Sequence, residues 1–196
     1  MIIIKHRVNS IIKLKNTPKN FGVEIDLRSD LNNIFLNHDP FKKGELFEKW
    51  IKFFKHKLII LNVKEEGLEP KILNILKKNK VQNFFFHDQT FSTLLKNMKK
   101  TNVSVRYSEF EDLKKTSFLL KYIKWVWFDN FSKIKIEKKF YRNVKKYNCK
   151  ICLVSPELVK KTRIKEIKKI IYYFKKNNFY IDAVCTKRPD IWNKYI

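Results

Sequence analysis

Eight times along the 196 residues a short apolar or β-branched run is followed by a more polar, amphipathic stretch. The runs are Ile2 to Lys5, Gly22 to Asp26, Leu58 to Asn62, Asn83 to Phe86, Val103 to Arg106, Trp125 to Phe128, Lys150 to Val154 and Ile181 to Cys185. A further extended piece, Ile34 to Asn37, reads as a hairpin arm after the second run. Between them lie helical patterns at Glu45 to Phe54, Glu69 to Lys78, Phe91 to Lys99, Glu111 to Tyr122, Glu137 to Lys146 and Arg163 to Lys176, with a weaker one near Ile11 to Asn20. Leu46, Trp50, Phe53 and Phe54 show the spacing of three and four that a helix needs. Short apolar strands alternating with helices imply parallel βαβ units, and eight such units closing on themselves make a (β/α)8 barrel. An open doubly wound sheet is the competitor, but its Gly-rich phosphate loop has no material: Gly22, Gly44 and Gly67 are the only glycines. The expectation is a small α/β TIM barrel, one domain over residues 1–196.

No apolar run reaches the roughly 18 residues of a membrane span. Met1 to Ile4 is too short for the core of a signal peptide before Lys5 and His6 intervene. A soluble cytoplasmic protein is expected, and its three cysteines make a disulfide scaffold the wrong basis for stability. Forty-four Lys plus Arg against 19 Asp plus Glu give a net charge of +25, which points toward a polyanionic partner. Only six of the 44 are Arg, and Asn, Ile and Phe are abundant where Gly and Ala are scarce. That is the profile of an AT-rich genome, whereas a patch built for bidentate phosphate contacts favours Arg. Genome composition is therefore read as the main source of the excess charge, and a nucleic acid, an anionic membrane surface or a phosphorylated substrate are the partners the charge would suit.

A barrel carries its active site at the C-terminal ends of its strands. Those ends are unusually polar here: His6-Arg7, Glu24-Ile25-Asp26, His38-Asp39 after the hairpin arm, Lys64-Glu65-Glu66, His87-Asp88, Arg106 with Ser108 and Glu109, Asp129, Ser155 with Glu157, and Thr186-Lys187-Arg188. Glu24-x-Asp26, at a spacing of two, turns both carboxylates to one side of a strand, as a hard cation such as Mg²⁺ or Ca²⁺ requires. An ExD alone more often pairs with a neighbouring Lys or Arg. Two histidines at neighbouring strand ends tip the reading toward a site.

These residues carry a resemblance. His6-Arg7, Glu24-x-Asp26, His38-Asp39-Pro40, a strand ending Leu61-Asn62-Val63-Lys64-Glu65-Glu66, and a last strand running Asp182 to Asp190 together resemble the glycerophosphodiester phosphodiesterase family. Its members belong to the PLC-like phosphodiesterases, which are TIM barrels. The similarity spans nearly the whole chain and is strongest in the first forty residues. It implies a phosphoric diester hydrolase of lipid metabolism, acting on a glycerophosphodiester-like or polyol phosphodiester. His6 and His38 would form the acid/base pair, with Arg7 and Lys64 on phosphate. Glu24, Asp26 and Glu66 would hold a divalent cation, Mg²⁺ or Ca²⁺. Arg106, Glu109 and Asp129 are rim candidates for substrate contacts.

Three departures bear on that expectation. The family's HRG is His6-Arg7-Val8, and its Pro-Glu-Asn-Thr segment has no clean counterpart beyond the nearby Lys15-Asn16-Thr17. On the third strand, the family's Glu followed two residues later by Lys is read here as Lys64 followed by Glu66, with the charges exchanged. Either Glu66 still reaches the cation, or the Lys64 ammonium takes its place and the site works without metal, as in bacterial phosphatidylinositol-specific phospholipases C. Two rivals follow: a catalytically inert phosphate-binding barrel in envelope or polysaccharide metabolism, and a basic nucleic-acid-binding protein. Cys149-x-x-Cys152 is read as structural, because strand alternation turns the two thiols to opposite faces. Trp125-x-Trp127 and Phe84 to Phe86 are read as packing, Trp192 as either a lock on the terminal helix or a pocket wall, and His56 as solvated.

Overall fold

All eight apolar runs form strands in a computed structural model of the chain, which describes residues 1–30, 32–111, 117–132 and 136–195. In chain order the strands are β1 (Ile2–Lys5), β2 (Gly22–Ser29), β3 (Ile34–Leu36), β4 (Glu45–Leu46), β5 (Ile59–Val63), β6 (Phe84–His87), β7 (Ser104–Tyr107), β8 (Trp125–Phe128), β9 (Lys150–Val154) and β10 (Ala183–Thr186). Eight of them pair in parallel in the order β7-β8-β9-β10-β1-β2-β5-β6. Between β6 and β7 lies one parallel bridge, Phe86 to Val103, with the Phe86 N–H donating to the Asn102 carbonyl at 2.9 Å. β3 and β4 form an antiparallel arm on the upper part of β2, which therefore runs three residues past Asp26. This is an α/β fold of the (β/α)8-barrel type.

Alternation within the strands sorts their side chains into two cores. Ile4, Ile60, Phe85, Trp125, Trp127, Cys152, Val154, Ala183 and Cys185 cluster on one face of the strands. Their neighbours Ile3, Ile59, Leu61, Phe86, Val126, Ile151, Leu153 and Val184 face the helices in a second, larger cluster. Burial on both faces is why these strands read as continuous apolar runs. Phe85 stacks on Trp125 with centroids 4.8 Å apart, so the aromatic pairs are packing elements, as expected. Cys149 belongs to the outer cluster and Cys152 to the inner one, also as expected. Burial pushes all three free thiols up, Cys149 to about 11, which leaves them unreactive.

The helical layer comprises α1 (Ile11–Lys15), α2 (Phe47–Trp50), α3 (Glu69–Lys78), α4 (Phe91–Asn97), α5 (Lys138–Lys146), α6 (Pro156–Val159), α7 (Glu166–Lys176) and α8 (Pro189–Trp192). α6 and α8 have no counterpart among the expected helices, α1 is shorter than expected, and three expected segments take another form. The helix expected at Glu45 to Phe54 is β4, then α2, then a 3₁₀ turn over Ile51–Phe53, because Glu45 is drawn into the arm and its carboxylate accepts the Ile11 N–H at 2.8 Å. The first turn of the helix expected from Arg163 is 3₁₀, over Lys161–Lys165. Residues 112–116 of the helix expected at Glu111 to Tyr122 lie outside the described residues, and Ser117–Lys121 is 3₁₀. Among the described residues no helix is long and apolar enough to cross a membrane.

Gly22 opens β2 where three strands crowd together. A Cβ there would lie 2.3 Å from Ile4 Cδ1 and 2.9 Å from the Leu58 carbonyl oxygen. Gly22→Val should therefore destabilise the fold by about 2–3 kcal/mol through overpacking, seen as a lower midpoint in urea. An unchanged midpoint would contradict this packing.

Candidate active site

Parallel strands share a polarity, so the residues that follow their C-terminal ends gather at one mouth. β1 delivers His6 and Arg7. Arg7 adopts φ 55°, in the left-handed region, and its N–H turns back to donate to Glu24 Oε2 at 2.8 Å. β2 delivers Glu24 and Asp26 on the inward face, since Val23 and Ile25 pack outward. Both carboxyls are almost wholly buried. Glu24 Oε1 accepts from the Asn62 amide at 3.1 Å, and Asp26 Oδ2 accepts from the Asn9 amide at 2.8 Å, while Asn9 Oδ1 accepts the Asp26 N–H at 3.0 Å. Lys64 Nζ lies between Asp26 Oδ1, at 3.6 Å, and Asp88 Oδ2, at 3.1 Å.

His38 arrives from the arm rather than from a barrel strand. Its carbonyl accepts from Arg28 Nε and Nη2 at 3.2 and 3.0 Å, and its Nδ1 lies 3.0 Å from Asp39 Oδ1. Asp39 is held below the usual carboxylate range by its hydrogen bonds to His38 and Lys42. The His38 ring bears electrostatically on His6, together with Arg7, Lys187 and Lys64. Burial above all, and then the charges of Arg7, Lys187 and Lys64 among its neighbours, push the His6 imidazole down to about 3. Burial and the adjacent Asp26 push Glu24 well above the usual carboxylate range. The 3.8 Å approach of His6 Nε2 to Glu24 Oε2 is thus a contact of a neutral ring with a carboxyl reluctant to ionise, not an ion pair.

The charged line continues around the mouth. Asp88 Oδ1 accepts from Arg106 Nη2 at 2.6 Å, and Arg106 Nη1 lies 3.4 Å from Asp129 Oδ2. Burial raises Asp129 to about 6 against the pull of Arg106. A cavity of about 430 Å³ opens beside this pair, walled by His87, Asp88, Phe91, Leu94, Arg106 and Leu119 among others.

The structure links His6, Arg7, Glu24, Asp26, Lys64, Arg106 and Asp129 through the contacts above, while His38 acts on His6 electrostatically and has its side-chain contact with Asp39. It does not bring Glu66 or Glu109 to them. Glu66 accepts the Thr90 hydroxyl at the start of α4, and Glu109 accepts the backbone N–H groups of Phe131 and Ser132. The third-strand pair that faces Glu24 and Asp26 is Asn62-x-Lys64, not Lys64-x-Glu66. The lysine of the expected Glu-x-Lys pattern is thus in place and its glutamate is an asparagine, so no charges are exchanged. Asn9, Asn62, Asp88 and Lys187 complete the surroundings. Asn62 and Lys64 share the inward parity of Ile60, a signal present in the sequence; Asn9 carries no such signal.

Hard-cation chemistry can be tested on the oxygens themselves. Asp26 Oδ1 and Asn62 Oδ1 are buried without a hydrogen-bond partner and stand beside Glu24. That oxygen set fits Mg²⁺ or Ca²⁺. Among the described residues no group of three or more His, Cys, Asp or Glu is arranged to hold a metal, and here the third oxygen is an amide.

Other strand ends serve the fold. Glu157 accepts from the Thr186 hydroxyl at 2.5 Å and from the Ser155 hydroxyl, which in turn accepts from Trp192 Nε1 at 2.8 Å. Trp192 therefore locks α8. His56 is half-buried rather than solvated, its Nε2 3.0 Å from the Thr17 carbonyl oxygen.

His87 ends β6 fully enclosed, with Nδ1 3.0 Å from Ser104 Oγ and its ring 4.1 Å from that of Trp127. Burial pushes it from 6.5 to about 3. Between those values the unfolded chain binds a proton that the folded chain refuses, so stability falls as pH drops through that window. This one group contributes at most about 1.4 kcal/mol per pH unit. Asp129 works in the opposite sense between 3.8 and about 6, so the effect is best read as a difference. The stability of His87→Gln relative to the parent should rise as pH is lowered from 6.5 toward 4; a pH-independent difference would contradict it.

No protein-family model matches the sequence, and no curated protein matches it. Solved structures do match the fold. A glycerophosphodiester phosphodiesterase from Thermotoga maritima aligns over 100% of this chain and 98% of its own, with a TM-score of 0.76 and 17% identity. An Oleispira antarctica phosphodiesterase in complex with the product sn-glycerol-3-phosphate aligns over 100% and 96%, with a TM-score of 0.69 and 14% identity. A glycerophosphodiester phosphodiesterase from Agrobacterium tumefaciens aligns over 97% of both chains, with a TM-score of 0.69 and 9% identity. At such identities the likeness shows a shared fold.

Proposed function

We propose that this protein is a phosphodiester hydrolase whose substrate carries glycerol or another polyol on one side of the phosphate, acting in the cytoplasm through a closed barrel. The observation that supports the reading is the buried Glu24 and Asp26 pair at a strand end, with His6 Nε2 3.8 Å from Glu24 and Arg7 Nε and Lys64 Nζ 3.8 and 3.6 Å from Asp26. Likeness of fold to phosphodiesterases supports it without deciding the chemistry.

His6 is neutral at physiological pH and is the proton acceptor for the attacking oxygen. The anionic phosphate, once bound, offsets the cations that depress His6 and makes it a stronger base. His38, oriented at Nδ1 by Asp39, presents Nε2 to protonate the departing alkoxide. Arg7 and Lys64 flank the position where phosphoryl oxygens gain charge, and Asn9 holds Asp26 in place. A divalent cation, when bound by Glu24, Asp26 and Asn62, supplies further neutralisation of that charge.

The test is release of sn-glycerol 3-phosphate from a glycerophosphodiester, with Mg²⁺, with Ca²⁺ and with chelator. Turnover in any of the three is expected. Tight binding of glycerol phosphate without turnover in all three would favour the inert phosphate-binding barrel and overturn the enzymatic reading.

A further inference from the structure

The loops around the mouth carry exposed phenylalanines that the site does not use. Phe91 follows β6, Phe110 follows β7, Phe131 follows β8 and Phe41 lies on the connection between β3 and β4, each within five residues of the strand that precedes it. Their exposures are 55, 76, 38 and 104%. The Phe110 and Phe131 rings lie 5.8 Å apart, and Glu109 ties their two loops together through the Phe131 and Ser132 N–H groups. Phe91 walls the cavity beside Asp88 and Arg106.

Phe41 is the most telling. It stands two residues beyond Asp39, fully in solvent, with φ 59°. A bulky residue held in the left-handed region with its ring in water is unfavourable on both counts. In sequence it is followed by Lys42 and Lys43, whose side chains are 68 and 83% exposed. Lys160, Lys161 and Lys187, after β9 and β10, are also exposed. The carboxylates on these loops are engaged: Asp39 with Lys42 and His38, Glu109 with backbone N–H groups, Glu111 with Arg106.

We infer that the mouth of the barrel is a docking face for an anionic lipid surface, with Phe41, Phe110 and Phe131 entering the interface. The net charge of +25 draws the protein to an anionic bilayer from any direction, and the aromatic tips fix which end faces it. Apolar rings at loop tips, set off by flexible Lys rather than Arg, match a bilayer interface better than a nucleic acid, which calls for Arg forks and bases stacked along a groove. The inference stands independently of hydrolysis. If both hold, the acid/base pair opens toward the headgroup layer, where phosphodiesters are concentrated.

Co-sedimentation with phosphatidylcholine vesicles, with and without phosphatidylserine, tests it. Binding is expected only with the anionic lipid and should weaken with salt. Phe41→Ser, Phe110→Ser and Phe131→Ser should each lower partitioning roughly tenfold, the scale of burying one such side chain. Thermal stability should not change, since these rings are exposed. Tyr172→Ser, on the outer face of α7 and 67% exposed, should leave partitioning unchanged. Absence of binding, binding indifferent to the Phe substitutions, equal loss with Tyr172→Ser, or salt-sensitive binding of single-stranded DNA without vesicle binding would each overturn it.

Discussion

Alanine at either His6 or His38 is expected to lower kcat for a glycerophosphodiester by about a thousandfold, the middle of the range for a positioned acid or base. The two losses should differ in kind. His38 protonates the leaving alkoxide, so a substrate with an acidic leaving group such as nitrophenol should recover most of the rate in His38→Ala. His6 takes the proton from the nucleophile, so the same substrate should not rescue His6→Ala. His6 is mostly buried and His38 partly exposed, and neither anchors the core, so both variants should melt near the parent. Retained turnover in both would remove the assignment. Rescue of His6→Ala instead would reverse the two roles.

The second large effect belongs to Lys64. Its ammonium bridges Asp26, completely buried, and Asp88 on the rim, and it is one of the cations acting on His6. Lys64→Met leaves Asp26 beside the reluctant Glu24 carboxyl with the Asn9 amide as its hydrogen-bond donor and the Arg7 Nε, 3.8 Å away, as its remaining cation. Stripping one partner from such a buried pair costs about 3–5 kcal/mol, or roughly 10 °C in Tm for a chain of this length. Turnover should fall as well, since a charge on the phosphate is lost. Millimolar Mg²⁺ or Ca²⁺ should restore more Tm to the variant than it adds to the parent, because the unpaired Asp26 and Asn62 oxygens then take the ion without competition from Lys64. Equal shifts in both proteins, or none, would show that Lys64 and the ion do not share one position.

The barrel strands were legible because each is buried on both faces, which writes it as an unbroken apolar run between amphipathic stretches. The acidic pair was legible for a related reason: Glu24 and Asp26 interrupt a run at the spacing that keeps them on one face. What the chain did not mark was where β5 ends. Asn62, Lys64 and Glu66 all share a parity, so the period of two cannot say which pair stands at the mouth. Only the pairing of Asp26 with Asn62 across β2 and β5 settles it. Asn9 was invisible for the opposite reason. It lies on a connection with no period, and its role comes from a contact 17 residues away. The segment from Glu45 to Phe54 misled because spacing at three and four suits a strand, one helical turn and a 3₁₀ turn in series as well as it suits one helix.

In the proposed mechanism the His6 and His38 rings share one cavity and act from opposite sides of the substrate. A crystal structure with sn-glycerol 3-phosphate bound measures that directly. It should show phosphate oxygens within about 3 Å of both His6 and His38, with Arg7 and Lys64 on the remaining oxygens. A phosphate seated elsewhere, or a His38 ring turned to solvent with Asp39 as its only partner, would contradict it.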